Sequence, residues 1–521
     1  TSCIRADGEY AQLLAAVRAA FRDKPLPLLA NGLCEGATEA FMTSLIEDVC
    51  TKAAPDGGVS RTGRRRCALI VCPEEKDCVR LRQTLERFGL RAAFYTPRDL
   101  SFYNVTASHE YEHERMRVLS GLAAGTLDAV ITTPDAALSY TVPPDILRAA
   151  SVRLDFHTPV DPGTLAERLV AAGYNRVDLV EGAGQFAVRG GIIDVFAPFG
   201  TYIDDEGELR AGSYPLRVEL FGDEIDRMGL FDPETQRMTC AVDEAELLPS
   251  REVLTDAAGL ERLAAAIAAQ RKSARSDEAR RTLAEEAAAV AAARAEQTPT
   301  GAGLHFLDRY IRLVYPEPAC LLDYFPERTL FLIRSNAAVQ DRLRGGEKLL
   351  NEQVVSLCES GLLAGKYAEF ARPAAAFERF LESNVTVHVD SLSYGMSGRR
   401  LGGIFGFRTR HMVSYADNLR LLCEDVTRYR EGGYRIAVIA ENETAARSLA
   451  DLFADAGIPA AIPAPGSADT PDAMPRGTVL IHWRSYLFGY ELMVPRIAIL
   501  STNPDSRTGS LSASPAVLRS R

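Results

Sequence analysis

The sequence predicts a multidomain α/β protein, and three observations support this prediction. The apolar run CALIVC at Cys67–Cys72 is typical of a parallel strand that is covered on both faces. Residues Glu74–Phe88 have helical apolar spacing and are followed by Gly89, a residue type that commonly ends helices. Residues 152–237 instead contain short strand-like runs between turns rich in Gly, Pro and Asp, which predict a small antiparallel sheet with one helix at Pro162–Ala172.

The region before residue 151 alternates between strands and helices, which is the pattern of an α/β sheet. After CALIVC, a strand is predicted at Ala92–Tyr95 and a helix at His109–Ala124. A further strand is predicted at Ala129–Thr133, where Pro134 ends it.

The last part of the chain repeats this pattern on a smaller scale. A strand at Tyr434–Ala440 precedes a helix at Glu441–Ala456, which Gly457 ends. Thr478–His482 and Arg496–Ser501 are predicted as further strands.

These changes of pattern divide the chain. The 521 residues predict three or four domains at roughly 100–200 residues each. We expect one α/β domain in two parts, at 1–151 and 238–382, and its second part contains an exposed Ala-rich helical excursion at 255–297. A small antiparallel α+β domain at 152–237 is expected to be inserted between the two parts. A separate small α/β domain is expected at 383–502, followed by a disordered tail or linker at 503–521.

Composition excludes several classes of protein. No apolar run of about 18 residues predicts a membrane span, and TSCIRADGEY lacks the apolar stretch of a signal peptide. The ten cysteines form no CxxC pair, so we expect reduced core thiols, no metal site and a cytoplasmic location. The net charge of −11 argues against global attraction to nucleic acid, and the basic cluster Arg61–Arg66 is interpreted as a solvated loop. We expect a monomer.

The stretch LANGLCEGAT lies between an apolar run and a helical pattern, where a phosphate-binding loop often occurs. That loop has the pattern G-x-x-x-x-G-K-[ST], in which backbone amides and the lysine hold phosphate and the hydroxyl holds magnesium. The alignment places Asn31 at the first glycine, Gly36 at the second, Ala37 at the lysine and Thr38 at the hydroxyl. Two of the four key positions are therefore kept, and an ordinary turn before a helix is an open alternative.

A second stretch supports loss of a nucleotide site. An ATP-hydrolysing motor needs acidic residues after a buried strand to hold magnesium and the attacking water. The predicted strand in Leu321–Ile333 is followed by Arg334–Ala337, which contains no carboxylate, and Arg334 would repel magnesium. Together the two stretches predict a degenerate phosphate-binding loop in which Thr38 caps the helix.

Several phrases carry a family resemblance: LLDYFPERTLFLI, RGGIIDVFAPFG, LFGDEIDRMGLFDPETQR and LLPSREVLTD. They resemble the excinuclease B subunit of nucleotide excision repair and, more closely, the N-terminal half of the bacterial transcription-repair coupling factor, over roughly residues 10–500. The resemblance implies a degenerate helicase-like α/β domain. A damage-verifying hairpin of the excinuclease B type does not fit, because Thr96–Arg115 is short and its first part has only the aromatics Phe102 and Tyr103.

The resemblance also implies a docking surface for the excinuclease A subunit in residues 152–237. Arg176 and Arg189 match arginines of that surface, whereas Ala187 replaces a third. Arginine presents a planar fork to carboxylates and is enriched at interfaces. Gly190–Gly191 permits a close backbone approach, and Phe196 is expected to contribute. From the residues alone, an ordinary exposed strand arginine is an equal alternative for Arg189.

The resemblance implies a role in recruiting excinuclease A to lesions where RNA polymerase has stalled. The family's polymerase-binding domain and DNA translocase motor, with its ATP and magnesium, are expected beyond this chain, which we therefore expect to be a fragment and not an enzyme. RNA polymerase and DNA would be partners of those further parts. The alternative is an excinuclease-B-like ATP-dependent DNA repair helicase. The sequence assigns no role to the domain after residue 383.

Overall fold

The structure is a computed structural model. It describes residues 2–23, 25–51, 57–59, 65–98, 110–296, 300–301, 303–326, 328–390, 400–463, 476–483 and 489–503. Phe102 and Tyr103, residues 61–64 of the basic cluster and the tail after residue 503 lie outside the described residues.

The first sheet has seven strands, and every strand pair in it is parallel. In spatial order the strands are Gly403–Gly406, Leu28–Asn31, Val385–Asp390, Leu330–Arg334, Ala68–Val71, Ala129–Thr132 and Ala92–Tyr95. The predicted strands at CALIVC, 92–95 and 129–133 all lie in this sheet. Ala68–Val71 is buried on both faces, as its continuous apolar sequence predicts.

The first sheet extends past residue 383. Val385–Asp390 and Gly403–Gly406 pair with the two sides of Leu28–Asn31. The chain after residue 383 therefore adds two strands to the first sheet, one on each side of Leu28–Asn31, before it continues into the third sheet.

The second sheet also has seven strands, and all but one of its pairings are antiparallel. In spatial order they are Val152–Asp155, Met238–Leu247, Glu224–Phe231, Leu209–Phe221, Ile192–Asp204, Gln185–Arg189 and Asn175–Arg176. Helix Pro162–Ala171 begins at Asp161, whose side chain accepts a hydrogen bond from the Thr164 N–H, and it covers one face of this sheet.

The third sheet has six strands and is mixed. In spatial order they are Thr409–Met412, Gly489–Leu492, Ile497–Ser501, Arg435–Ala440, Val479–Trp483 and Ala460–Ala461. One face packs on helices Leu419–Glu431 and Glu443–Asp455. The other face packs against helix Glu35–Cys50, which follows strand Leu28–Asn31 of the first sheet, in one continuous apolar cluster.

The α-helices include those predicted at 74–88, 109–124, 162–172 and 441–456. They span Gly8–Ala20, Glu35–Cys50, Glu75–Arg87, Glu110–Ala124, Pro134–Leu138, Pro144–Ala149, Pro162–Ala171, Ala257–Ser273, Asp277–Arg294, Ile311–Val314, Asn336–Ser360, Ala374–Ser383, Leu419–Glu431 and Glu443–Asp455. Short 3₁₀ helices span Ser2–Ala6, Leu307–Tyr310, Leu321–Tyr324 and Gly365–Tyr367, and the two-residue strands Tyr140–Thr141 and Ala319–Cys320 pair with each other.

The Ala-rich region differs from its prediction. It forms two helices, Ala257–Ser273 and Asp277–Arg294. One face of each is buried in an apolar cluster that also contains residues of the first sheet. Leu260, Leu263 and Leu283 are fully buried because their spacing places them on that face. The expectation of an exposed excursion is therefore wrong for this face. None of the described helices is both long and apolar enough to cross a membrane.

Candidate functional site

The loop after the first strand is a tight turn. Strand Leu28–Asn31 ends at Asn31 and the next helix begins at Glu35. Gly32 has a φ of 76°, and a Cβ atom there would lie 2.1 Å from the Phe407 carbonyl oxygen. The Cys34 N–H donates to Thr409 Oγ1 at 2.7 Å, and Thr409 Oγ1 donates to the Gly32 carbonyl at 2.8 Å. The turn is therefore held closely by the segment that enters the third sheet.

The first helical turn after this loop is buried. Gly36, Ala37 and Thr38 are all buried, and Ala37 is 0% exposed in the cluster that also contains Phe407 and Tyr490. Thr38 lies inside the helix, and its hydroxyl donates to the Leu33 carbonyl at 3.4 Å. The prediction that Thr38 caps the helix is therefore wrong.

Arginines and carboxylates occupy the adjoining end of the first sheet. Arg80 binds Glu35 at 2.5 Å and lies 3.7 Å from Glu39, which is 1% exposed. Burial raises the pKa of Glu39 to about 7, against the opposing effect of Arg80 and Arg334. Arg334 ends strand Leu330–Arg334, so the structure places it at this end of the sheet and near Glu39.

The turn after Arg334 is bonded to the end of the neighbouring strand Val385–Asp390. Ser335 is left-handed, with a φ of 57°, and the Asn336 N–H donates to Asp390 Oδ2 at 3.3 Å. Burial raises the pKa of Asp390. Asp390 thus bonds to the start of helix Asn336–Ser360.

The second candidate site is the face of the second sheet that helix Pro162–Ala171 does not cover. We call it the outer face and define it by Ala187, Arg189, Asp194, Phe196 and Arg217. Ala187 is in register with Asp194, and Asp194 is in register with Arg217, so their side chains share one face. Phe196 follows Asp194 by two residues and therefore lies on this face as well.

Arg189 is the most exposed of these side chains. Its side chain is 44% exposed and forms an ion pair with Asp194, whose side chain is 1% exposed. Arg189 Nη2 also donates to Gln236 Oε1 at 3.4 Å. Gly190 adopts a φ of 62° in the turn that follows, with open space around it.

An apolar patch adjoins the arginines. Ala187 is 1% exposed and packs with Val180 and Phe231, and Phe196 lies half-buried against this group. Alanine at position 187 therefore belongs to a packed cluster, and the outer face combines apolar surface with one exposed guanidinium.

Arg176 lies elsewhere. It is exposed in the edge strand Asn175–Arg176, where it pairs in register with Phe186. Phe186 is buried beneath helix Pro162–Ala171. The register therefore places Arg176 on the opposite face from Arg189, so the structure does not bring the two predicted arginines together.

Sequence reasoning missed two residues of the outer face, Asp194 and Arg217, and the neighbouring turn residue Gln236. Arg217 donates to both oxygens of Asp194, at 2.6 and 2.9 Å, and to the Gln236 carbonyl at 2.8 Å. The alternation in RVELF, with Val218 buried and Arg217 on the other face, is the signal that could have identified Arg217. The pairing itself needs the register of the strands, which no local pattern contains.

Among the described residues, no group of three or more His, Cys, Asp or Glu side chains could hold a metal ion. Separately, the outer face offers a charged side chain next to apolar surface.

Comparison with known proteins gives one family match and several similar proteins. Residues 152–252 match the family model of the UvrB interaction domain, which includes the outer face and strand Met238–Leu247. The chain is 25% identical over 410 residues, 76% of its length, to the transcription-repair-coupling factor of Bacillus subtilis. It is 37% identical to the factor of Myxococcus xanthus over 142 residues, which are 27% of this chain and 11% of that protein.

The relative from Staphylococcus epidermidis is 22% identical over 405 residues. The chain spans about a third (32%) of the length of the Bacillus and Staphylococcus relatives. The resemblance to the transcription-repair coupling factor inferred from the sequence phrases is confirmed by these matches.

Proposed function

We propose that this chain recruits the excinuclease A subunit by binding it through the outer face of the second sheet. One observation carries the proposal: the residues matched by the UvrB interaction domain include a half-exposed arginine beside an apolar patch. In a longer protein of the transcription-repair-coupling type, this binding would bring excinuclease A to lesions where RNA polymerase has stalled. RNA polymerase and DNA would be contacted by the other parts of that protein.

The chemistry of the outer face suits a protein partner. A guanidinium fork pairs with a carboxylate in two parallel hydrogen bonds, and arginine is common at the centres of interfaces. Phe196 adds apolar area next to that fork. We assign Arg189, Gly190 and Phe196 to the contact, with Arg176 at its edge.

We also propose that this chain does not hydrolyse ATP. Position 37 carries no amine, and the first helical turn lies beneath Phe407 and Tyr490 in the apolar cluster. Arg334 stands where the magnesium carboxylates are expected, and it lies near Glu39. These features support a site that keeps the strand–turn–helix arrangement while lacking groups for phosphate and magnesium.

Isothermal titration calorimetry of the chain with purified excinuclease A tests the recruitment proposal. We expect Arg189→Glu to weaken binding at least about 30-fold, which corresponds to about 2 kcal/mol, because it reverses a charge at the centre of the contact. Arg210→Glu is the matched control, since Arg210 is also an exposed arginine paired with an aspartate on the same sheet.

No binding by the wild-type chain would contradict the proposed function. Equal losses for Arg189→Glu and Arg210→Glu would contradict the assignment of the outer face.

A further inference from the structure

We propose that Asp194 is a positioning residue that holds Arg189 with a free N–H of its guanidinium facing a carboxylate of the partner. This inference rests on the proposed function, since the partner is excinuclease A. Asp194 is 1% exposed and cannot touch a protein docked on the surface. Any effect of Asp194 on binding must therefore act through its neighbours.

Arg217 is the fixed member of this arrangement, which we call the arginine–aspartate triad of Arg189, Asp194 and Arg217. Arg217 Nε and Nη2 donate to the two oxygens of Asp194, and Nη1 donates to the Gln236 carbonyl. Its guanidinium also lies 5.1 Å from the centre of the Phe231 ring. All three nitrogens are used within the chain and the side chain is only 13% exposed, so Arg217 is an anchor and not a contact residue.

Arg189 is the outward member of the triad. Only Nη2 is held by the chain, through Asp194 Oδ2 and Gln236 Oε1. Within the part of the chain that the structure describes, Nε and Nη1 of Arg189 make no hydrogen bond, and the side chain is 44% exposed. Nε and Nη1 are therefore each available as a separate donor of a charge-assisted hydrogen bond to a second carboxylate.

The charges of the triad favour the same kind of partner. One carboxylate lies between two guanidinium groups, so the triad carries a net charge of +1. Because Asp194 and Gln236 already restrict the Arg189 side chain, less rotamer freedom is lost when the partner binds. The structure thus assigns to the partner an aspartate or glutamate side chain opposite Arg189.

A double-mutant cycle tests the inference, with the affinity for excinuclease A measured by calorimetry for wild type, Asp194→Asn, Arg189→Ala and the double variant. We expect Asp194→Asn to weaken binding about 10-fold in the wild-type background and less than about 2-fold in the Arg189→Ala background. A residue that only maintains the fold would weaken binding equally in both backgrounds. Asp194→Glu should restore part of the affinity, because it keeps the charge.

The control removes the same charge from the same two strands. Asp204 pairs with Arg210 at 2.8 Å, roughly 30 Å further along strands Ile192–Asp204 and Leu209–Phe221. Asp204→Asn should leave the affinity unchanged.

Gln236→Ala keeps the test decisive if Asp194→Asn fails to fold. It removes one bond to Arg189 from a half-buried side chain, and we expect about 3-fold weaker binding that disappears in the Arg189→Ala background. If wild type binds and Arg189→Ala weakens binding, equal losses in both backgrounds overturn the inference alone. If wild type does not bind, the proposed function fails first.

Discussion

Two regions of the molecule place arginines around a buried carboxylate, and they differ in where the arginine donors point. At the end of the first sheet, Arg80 faces Glu35, Glu39 and Asp77 with its three nitrogens, at 2.5, 3.7 and 3.5 Å. On the outer face of the second sheet, Arg189 uses a single nitrogen on its own chain.

The two regions also differ in how far other parts of the chain cover them. The helix that begins beside the Arg80 cluster packs beneath the third sheet, whereas Arg189 lies at the surface next to an apolar patch. A cluster of charges therefore indicates binding only when donors remain directed outward. In the first region, the donors of Arg80 face carboxylates of the same chain. In the second region, Arg189 faces a carboxylate of the same chain on one side only.

Introducing a lysine at position 37, next to the first region, should have the largest effect. Ala37→Lys places a long charged side chain at a position that is 0% exposed, so overpacking and an incompletely paired charge both oppose folding. We expect a loss of about 3–5 kcal/mol in the free energy of unfolding, measured by urea titration.

Ala288→Lys is the control for this substitution, because Ala288 is exposed in helix Asp277–Arg294, and it should change stability by less than about 0.5 kcal/mol. If Ala37→Lys instead folds with wild-type stability and ATP with magnesium raises its urea midpoint, the first region is an open nucleotide site. A rise in the wild-type midpoint with ATP would likewise restore the ATPase alternative.

Glu39 should give an intermediate effect that depends on pH. Its pKa is raised to about 7 in the folded chain, mainly by burial, while Arg80 and Arg334 lower it and Glu35 raises it. A carboxyl group with a raised folded pKa stabilises the fold fully below its unfolded pKa of about 4.3, and this contribution is lost as pH rises through 7. The free energy of unfolding should therefore lose about 1–3 kcal/mol from this group between pH 4.5 and 8.

Glu39→Gln removes this titration, so the stability difference between wild type and variant should change with pH in that window. Glu278→Gln, at an exposed position, is the control and should follow the wild-type curve. A constant difference between wild type and Glu39→Gln across the window would mean that Glu39 stays ionised, and that the first region is less buried than the structure shows.

The strands and helices that the sequence predicted have signals that are local. The apolar run at residues 67–72, the helical spacing after it and the glycine at position 89 reflect the neighbours of each residue along the chain. The same is true of the final α/β segment, where the predicted strand at 434–440 corresponds to Arg435–Ala440.

Contacts between distant residues could not be predicted in this way. Thr409 bonds to a turn 375 residues earlier in the chain, and no pattern near Cys34 indicates it. The small antiparallel domain was expected to end at residue 237, yet strand Met238–Leu247 pairs with three strands of the second sheet. The triad likewise depends on register, so the sequence identified Arg189 without Asp194 and Arg217.

The smallest predicted effect on binding also follows from strand register, and it concerns two arginines of the second sheet. Arg189 and Arg176 are both exposed and both resemble residues of a docking surface, but they lie on opposite faces. A flat partner on the outer face would reach Arg176 only around the edge strand. We therefore expect Arg176→Ala to weaken binding to excinuclease A less than about 3-fold, or about 0.6 kcal/mol, in the same calorimetric measurement. A loss as large as that of Arg189→Ala would mean that the partner wraps around the edge of the sheet, and the contact would then include residues 175–180 as well as the outer face.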